Sequence, residues 1–208
     1  MAKVVSVETM RKSDAYTIEN LVPSKELMRR AGAGIFENMP KKEPVAIVCG
    51  KGNNAGDGFV VASLLKDSGI SCEIILLFDD FSPDGKYFYD VCLEKNIPVV
   101  KYSDGMDFKQ YATIVDCILG TGFSGVVREP IKTVIEKINA SEAFVVSADI
   151  NSGLNGDTGE GELFVKSDLT VSIGEYKPAH FIGKAETAMK KKVNCDIGIQ
   201  IIGEYMEV

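Results

Sequence analysis

The chain has 208 residues, of which 45% are hydrophobic and 25% are charged, and its formal net charge is -7. This balance is typical of a globular chain long enough to bury a core, and we predict a single domain over residues 1–208. The negative charge argues against nucleic acid as a partner, because that affinity comes from clustered Lys and Arg. No apolar run approaches the roughly 20 residues that span a bilayer, so we expect no membrane partner either.

The cysteines indicate a reducing compartment. They occur singly, at positions Cys49, Cys72, Cys92, Cys117 and Cys195. An odd number without paired spacing, with two members inside apolar runs, predicts buried free thiols. Zinc would need clustered His and Cys, and the chain has one His. The first residues lack the apolar segment of a signal peptide, and we therefore expect a cytoplasmic protein.

Helical and strand patterns alternate along the chain. Five helices are predicted, and two of them cover residues 8–20 and 57–66. A further helix begins at Pro23-Ser24, with Ser24 as its cap. The other two begin at Ser82-Pro83 and at Pro130, and the last one runs to about Asn139. The predicted strands cover residues 45–49, 72–78, 97–100, 112–119, 143–148 and 169–173. The first helix has a thin apolar stripe of Met10, Ala15 and Ile18. Such alternation predicts an α/β fold with two leading helices and a parallel sheet covered on both faces.

The stretch from Val45 to Gly58 carries the strongest signal. Its first five residues, VAIVC, are typical of a strand buried on both faces, and the Gly-rich loop GKGNNAGDG follows. The helix after this loop points its positive end back at the loop, which favours an anionic group there. The loop also matches the dinucleotide pattern GxGxxA, a weak signal alone, and Asp79 and Asp80 end the next strand. It is not a P-loop, because GKS or GKT is missing.

Polar side chains follow three of the predicted strands, at the edge of the sheet where ligands bind in open α/β folds. These clusters are Asn53, Asn54 and Asp57; Asp116 with the loop from Gly120 to Gly125; and Asp149 with Asn151 and Ser152. Asp116 interrupts an apolar run, and a buried carboxylate there needs a partner or a cation.

The clusters also have purely structural interpretations. Asn53 and Asn54 could serve only as turn formers. Asp57 could cap the helix that follows it, a role compatible with ligand contact. Asp149 could cap the next turn of the chain. These residue types alone leave both interpretations open.

The three motifs together resemble those of the N-terminal YjeF domain, the NAD(P)H-hydrate epimerase family. GKGNNAGDG is similar to the family's GxGNNGGDG, DCILGTGFSG to its D-x-x-x-G-x-G, and SADINSG to its D-x-P-S-G, in the same order. The opening helices and the tail from Tyr176 to Ile199 are also similar, so the resemblance covers nearly the whole chain. It implies a Rossmann-like three-layer α/β/α sandwich with a mostly parallel central sheet. It also implies an enzyme that interconverts the R and S epimers of hydrated NADH and NADPH.

The resemblance further implies which residues form the site. NAD(P)HX would be the substrate rather than a bound cofactor. The residues implied in contact with it are Asn53, Asn54, Ala55, Gly56, Asp57, Gly120, Thr121, Gly122, Phe123, Ser124, Gly125, Val126 and Asp149. One potassium ion per chain would lie at Asn54, Asp116 and Ser152. A single carboxylate with neutral oxygens suits a weakly charged hard cation better than Mg²⁺ or zinc.

Family membership also implies partners. Members tend to form homodimers, and in many relatives the domain is fused to an ATP- or ADP-dependent dehydratase, to which we expect a functional coupling. Two residues depart from the family pattern. Asn151 replaces a proline, which would free the turn and could shift Ser152. Ala55 replaces a glycine and demands a negative φ or mild strain.

Asp149 is the predicted acid/base of the reaction. Inverting the hydrated carbon needs a group that gives and takes a proton near the hydroxyl, in a site that stabilises developing positive charge. The position of Asp149 at a strand end and the family's ligand contact there support this assignment. His180 lies outside the three motifs, and we assign it a surface or packing role; Lys177 is interpreted as a surface lysine rather than a phosphate ligand.

Two other functions compete with this one. A non-catalytic nucleotide- or protein-binding module of the same fold would be marked by loss of liganding residues, all of which are present here. An NAD-dependent dehydrogenase would need a substrate domain that 208 residues barely accommodate.

Overall fold

Seven strands form the central sheet of the protein, whose computed structural model describes residues 3–207. The elements in chain order are β1 (Lys3–Val4), α1 (Val7–Asn20), α2 (Ser24–Asn38), β2 (Val45–Cys49), α3 (Asn53–Asp67), β3 (Cys72–Leu76), α4 (Pro83–Glu94), β4 (Val99–Lys101), β5 (Thr113–Cys117), α5 (Ile131–Asn139), β6 (Phe144–Ala148), β7 (Leu169–Ile173), a 3-10 helix (Pro178–His180), α6 (Ala185–Ala188), β8 (Lys192–Cys195) and β9 (Met206–Glu207). The strand order is β4-β3-β2-β5-β6-β7-β8, and every pairing in this sheet is parallel. β1 and β9 pair antiparallel outside it. The α/β prediction is confirmed.

Both faces of the sheet are covered, because its strands carry apolar side chains on both sides. In β2, Val45, Ile47 and Cys49 pack into one core cluster, whereas Ala46 and Val48 pack into a second. The first cluster includes side chains of α2, α3 and α4, and the second includes those of α5. Helices therefore lie on both faces, as a three-layer α/β/α sandwich requires.

The helix boundaries differ from the predictions at two places. α3 begins at Asn53 rather than Asp57, because Gly52 adopts a φ of +90° and turns the chain directly into the helix. Ser24 does not cap α2: the helix begins at Ser24, the residue before it is Pro23, and no side chain caps this end. A glycine at φ +73°, Gly69, follows the end of α3.

The prediction for the buried face of α1 is correct for Met10 and wrong for its other two residues. Ala15 and Ile18 are exposed. The buried residues of the helix are Met10, Ser13 and Thr17. The hydroxyl groups of Ser13 and Thr17 each accept a backbone N–H of residues 200–202 at 3.0 Å. Hydrogen bonds to the C-terminal segment hold this face, which is why apolar periodicity did not identify it.

All five cysteines are free, as predicted, and only Cys195 is partly exposed. Burial raises the pKa of the Cys49 and Cys117 thiols well above its ordinary value, so these groups stay protonated and pack as small apolar side chains. None of the helices within residues 3–207 is long and apolar enough to cross a membrane.

Gly50 allows β2 and β5 to end in close contact. Its N–H donates to the carbonyl of Cys117 at 3.1 Å, and a Cβ at this position would lie 2.0 Å from the carbonyl oxygen of Ile118. Because this neighbour is a backbone atom of the sheet edge, it cannot move aside as a flexible side chain would. We expect Gly50→Ala to lower the free energy of unfolding by about 1–3 kcal/mol through overpacking, measured by urea denaturation.

Gly105→Ala is the matched control, because a Cβ at Gly105 meets nothing within 4 Å. Its effect should stay within about 0.5 kcal/mol. Equal losses in the two variants would mean that the close approach at Gly50 does not constrain the sheet.

Candidate active site

A cavity of about 670 Å³ opens at the carboxyl ends of the central strands. From β2 to β4 each new strand is added toward one edge of the sheet, and from β5 to β8 each is added toward the other edge. The strand order therefore reverses between β2 and β5, which is the topological switch point. Loops after β2, β5, β6 and β7 all contribute to the cavity wall. Its place and size are typical of a small-molecule site in an α/β fold.

Most of the residues implied in ligand contact line this cavity. They are Asn53, Asn54, Asp57, Gly120, Thr121, Gly122, Phe123, Ser124 and Asp149. Ala55 and Gly56 are buried within α3 and do not line it. Gly125 and Val126 line a separate, more open pocket. The structure thus gathers the three polar clusters at one cavity and leaves four implied contact residues outside its wall.

Asn54 lies in the first turn of α3 and is 8% exposed. Its Nδ2 donates to the carbonyl of Leu119 at 3.1 Å, which joins the helix to the loop after β5. Its Oδ1 is buried and has no hydrogen-bond partner within residues 3–207. A buried acceptor without a donor costs free energy, so this atom indicates a place for a ligand or a cation.

Asp116 finds its partners within the protein. Its carboxylate accepts hydrogen bonds from Ser147 Oγ at 2.9 Å and Ser152 Oγ at 2.5 Å, and from the backbone N–H groups of Ser152 and Ile118. Burial raises the pKa of this carboxyl group, and these hydrogen bonds oppose the rise. The carboxylate that interrupts the apolar run therefore ties β5 to β6 and to the turn after β6.

Asn54, Asp116 and Ser152 belong to one connected cluster. The carbonyl of Leu119 lies 3.1 Å from Asn54 Nδ2 and 3.2 Å from Ser152 Oγ, and the Leu119 N–H donates to Ser152 Oγ at 2.8 Å. The donors of this cluster are amide, hydroxyl and carboxylate oxygens. Among the described residues, no group of three or more His, Cys, Asp or Glu side chains could hold a metal ion.

Asp149 ends β6 and adopts a φ of +63°, a left-handed conformation that is uncommon outside glycine. Its Oδ1 accepts hydrogen bonds from Lys177 Nζ at 2.5 Å and from the N–H of Ile173 at 3.2 Å. Lys177 also donates to the carbonyl of Ile173 at 2.7 Å. The interpretation of Lys177 as a surface lysine is wrong: its side chain is 1% exposed, and it forms an ion pair with the predicted acid/base.

His180 is buried directly behind this pair. Its Nδ1 accepts the backbone N–H of Lys177 at 3.0 Å, so the neutral ring carries its proton on Nε2 and donates it to the carbonyl of Asp149 at 2.8 Å. Burial lowers the pKa of His180 to about 4. The packing role expected for His180 agrees with its burial, and its contacts connect it to both members of the ion pair.

Asp57 does not cap α3, because the cap position is Gly52 and Asp57 lies one turn into the helix. Burial raises the pKa of Asp57 well above its ordinary value; the charges of Asp149 and Asp14 add to the rise and that of Lys177 opposes it. Its neutral form is therefore favoured relative to that of an exposed aspartate. Asp14, which our reading of the sequence did not single out, lines the same cavity from α1.

The two departures from the family motifs have different consequences. Ala55 sits inside α3 and is not among the residues with a positive φ, so this departure introduces no backbone strain. The expectation that Asn151 frees the turn is wrong. Its buried side chain donates to the carbonyls of Val165 and Ala188 and accepts the hydroxyl of Thr170 at 2.6 Å. These contacts fix the turn that carries Ser152.

The fold and the cavity define an α/β protein with a cavity of small-molecule size at the switch point of a parallel sheet. The chain belongs to the family described as YjeF-related protein N-terminus, which matches residues 24–179. It is 40% identical over 168 residues to a protein of Lentilactobacillus buchneri (strain NRRL B-30929) named NAD(P)H-hydrate epimerase, an alignment that covers 77% of each chain.

Two further comparisons extend this result. Over 177 residues the chain is 39% identical to a protein of Archaeoglobus fulgidus named bifunctional NAD(P)H-hydrate repair enzyme Nnr, of which it spans 37%. The crystal structure of the yeast protein ynu0 superposes with a TM-score of 0.80 at 21% identity and covers 99% of both chains. That likeness supports the fold assignment.

The ion pair between Lys177 and Asp149 gives a testable prediction. Replacing one member of a buried pair leaves the other charge uncompensated, so Lys177→Met should lower the free energy of unfolding by about 3 kcal/mol in urea denaturation. The double variant with Asp149→Asn should recover part of this loss, because it removes both charges.

Lys190→Met is the matched control. Lys190 pairs with Asp168 at 2.7 Å, but its side chain is 80% exposed, and such surface pairs contribute about 0–1 kcal/mol. If Lys177→Met cost no more than Lys190→Met, the buried pair would not be a constraint on the fold.

His180 gives the protein a predictable pH dependence. Because its pKa is lower in the folded protein, about 4, than the ordinary value of 6.5, the unfolded chain binds more protons between these values. The contribution of neutral His180 to the free energy of unfolding is therefore fully present above pH 6.5. It is lost on acidification, by up to about 1.4 kcal/mol per pH unit. A His180→Gln variant should be less stable at pH 7 but should have a flatter profile between pH 6.5 and 4.

Thermal and urea unfolding across this pH range measures the difference between the two proteins. Carboxyl groups with raised pKa values, such as Asp14 and Asp57, contribute with the opposite sign, but they are present in both proteins. Parallel profiles would contradict a neutral, buried His180.

Proposed function

We propose that this protein is an NAD(P)H-hydrate epimerase, an isomerase that interconverts the R and S forms of NADHX and NADPHX in nucleotide repair. The observation that carries the proposal is Asp149, a strained carboxylate at a strand end that is paired with a buried lysine and lines the cavity. The name of the Lentilactobacillus buchneri relative supports the same activity.

Asp149 is suited to the proton transfer that epimerisation requires. When the hydroxyl leaves the hydrated ring with a proton, the ring nitrogen's lone pair forms a C=N bond and leaves a planar, positively charged centre. Water that adds to the carbon must then lose a proton, and a carboxylate at its side accepts it. Hydrogen bonds from Lys177 and from the N–H of Ile173 orient the Asp149 carboxylate for this step, and its negative charge would stabilise the cationic ring.

The nucleotide would lie between the N-terminus of α3 and the loop after β5. The first turn of α3 presents backbone N–H groups at Asn53 and Asn54, and a helix N-terminus favours a phosphate group. The residues from Gly120 to Ser124 form the facing wall of the cavity. Four of the implied contact residues would affect binding through the shape of these two segments rather than by direct contact with the nucleotide; they are Ala55, Gly56, Gly125 and Val126.

The cluster around Leu119 fits a monovalent cation. Asn54 Oδ1 is a buried oxygen without a donor among the described residues, and Asp116 and Ser152 supply a carboxylate and a hydroxyl nearby. Asp116 already accepts hydrogen bonds on both oxygens, so the Ser152 hydroxyl would turn from Asp116 toward the Leu119 carbonyl at 3.2 Å. A potassium ion there would supply positive charge that holds the loop after β5 against α3.

The proposal also covers the cellular compartment and the partners of the enzyme. The free thiols fit a reducing compartment such as the cytoplasm. The Archaeoglobus fulgidus relative, named as a bifunctional repair enzyme, supports a functional coupling to a dehydratase that consumes one epimer. The homodimer implied by the family resemblance stays a prediction.

Epimer exchange followed by chromatography tests the function. R-NADHX is incubated with the protein and potassium, and the S form is measured against the slow uncatalysed exchange. We expect fast exchange by the parent protein and a loss of 10²–10⁴-fold in Asp149→Asn, because an acid/base group contributes about that factor. Asp104→Asn, at an exposed aspartate outside the cavity, is the control and should retain full activity.

The fold of the variants must be checked, because Asp149→Asn leaves Lys177 without its counter-charge. The double variant Lys177→Met/Asp149→Asn removes both charges and tests the same loss of activity. Parent-like exchange by a folded Asp149 variant would exclude Asp149 as the acid/base. A parent protein that binds the nucleotide saturably without accelerating exchange would be a binding module instead.

A further inference from the structure

A second carboxyl group in the cavity wall has no structural partner. Asp14 lies on α1, lines the cavity and forms no hydrogen bond or ion pair within the described part of the chain. It lies before residue 24, where the match to the family begins. Neither the motifs nor the ion pair at Asp149 accounts for a carboxyl group at this position.

The packing of α1 directs Asp14 toward Asp149. One turn earlier on the helix, Met10 is buried against Gly174, where an added Cβ would lie 2.6 Å from the methionine Cε. Gly174 follows Ile173, the residue whose backbone contacts both Asp149 and Lys177. Because side chains at i and i+4 share one face of a helix, Asp14 projects from the same face as Met10.

Other residues hold α1 in place. Ser6 caps the helix by accepting the N–H of Thr9 at 3.0 Å, and the N–H of Val7 donates to Asp157 at 2.7 Å. Ser13 and Thr17 attach the helix to the C-terminal segment. Asp14 takes part in none of these contacts, so the fold does not depend on its carboxyl group.

The environment of Asp14 also makes its charged form unfavourable. Burial raises the pKa of Asp14 to about 6, the charge of Asp149 adds to the rise, and that of Lys177 opposes it. An acid whose pKa is higher in the folded protein lowers the stability as the pH rises above the unfolded value, and the loss is complete above the folded value. A side chain that has no partner and lowers stability at neutral pH is typical of a functional site.

We propose that Asp14 is the second proton-transfer group of the epimerase, acting on the face of the substrate ring opposite to Asp149. This inference rests on the proposed function. Inversion requires the hydroxyl to leave from one face and water to add to the other, and a single fixed carboxylate serves one face only. Asp14 and Asp149 come from different elements, α1 and β6, and line the same cavity.

The proposed step balances its protons and electrons. The Asp14 carboxylic acid gives its proton to the hydroxyl, the C–O bond breaks to release water, and the ring nitrogen's lone pair forms the C=N bond. A second water adds to the opposite face, its electron pair forms the new C–O bond, and the C=N electrons return to nitrogen. Its proton goes to Asp149, and solvent exchange restores both carboxyl groups. The reverse reaction uses the two groups in exchanged roles.

Asp14 differs from Asp57, another carboxyl group of the cavity wall without a hydrogen-bond partner among the described residues. Burial raises the pKa of Asp57 well above its ordinary value. The pKa of Asp14 is raised to about 6, near neutrality, where a group can both give and take a proton.

Asp14→Asn tests the inference in the intact chain. The substitution keeps the shape of the side chain and removes its proton, so we expect kcat for the exchange of R- and S-NADHX to fall by about 10²-fold or more, with little change in KM. At pH 7.5 the variant should be at least as stable as the parent protein in urea, because it lacks the unfavourable charge. Glu19→Gln, at an exposed carboxylate on the same helix, is the matched control and should leave both quantities unchanged.

The outcomes separate this inference from the function on which it rests. An active parent protein with a folded, fully active Asp14→Asn variant would overturn the role of Asp14 and leave the epimerase standing. A variant that loses stability together with activity would indicate a structural role and also overturn it. A parent protein that does not accelerate exchange would overturn both proposals.

Discussion

The ion pair between Lys177 and Asp149 is the interaction on which the site depends. A lysine that is 1% exposed has lost its hydration and needs compensation within the protein. It receives this from the Asp149 carboxylate and from the carbonyl of Ile173, while His180 bonds to the backbone of both pair members. Three segments, the end of β6, the end of β7 and the 3-10 helix, are thereby fixed relative to one another. The left-handed φ of Asp149 is stabilised by the same contacts.

Lys177 also acts on the neighbouring carboxyl groups, although burial is the larger influence on them. Asp14, Asp57 and Asp149 line the same cavity as Lys177, together with Asp84, Arg11 and Lys51. Lys177 bonds directly to Asp149, and it acts on Asp14 and Asp57 only from a distance. Burial and mutual repulsion therefore raise the pKa of Asp14 and Asp57. The cavity thus combines a carboxylate paired with a lysine and two carboxyl groups whose pKa is raised, an arrangement suited to acid–base chemistry.

Much of the fold could be predicted from the sequence, because strands such as VAIVC carry their burial pattern locally and the alternation of elements fixes a parallel sheet. The polar clusters after three strands also located the cavity, since the carboxyl ends of parallel strands share one edge. Lys177 and Asn151 were misjudged for a different reason. Their roles depend on partners such as Asp149 and Thr170, at positions that no local pattern reveals. The face of α1 was missed likewise, because it is held by hydrogen bonds to residues 200–202.

The groups that contribute least to folding lie together at the cavity. Asn54 leaves a buried oxygen without a donor among the described residues, and Asp14 and Asp57 have no hydrogen-bond partner there. The polar residues behind the cavity differ from these. Asp116, Asn151 and His180 are fully buried and hydrogen-bonded, and they hold the backbone that carries the groups lining the cavity. If the cavity were optimised for stability, the polar groups that line it would also have hydrogen-bond partners within the protein. These unpaired groups are instead arranged for a ligand. The hydrogen-bonded residues behind the cavity are rigid and hold the unpaired groups in place.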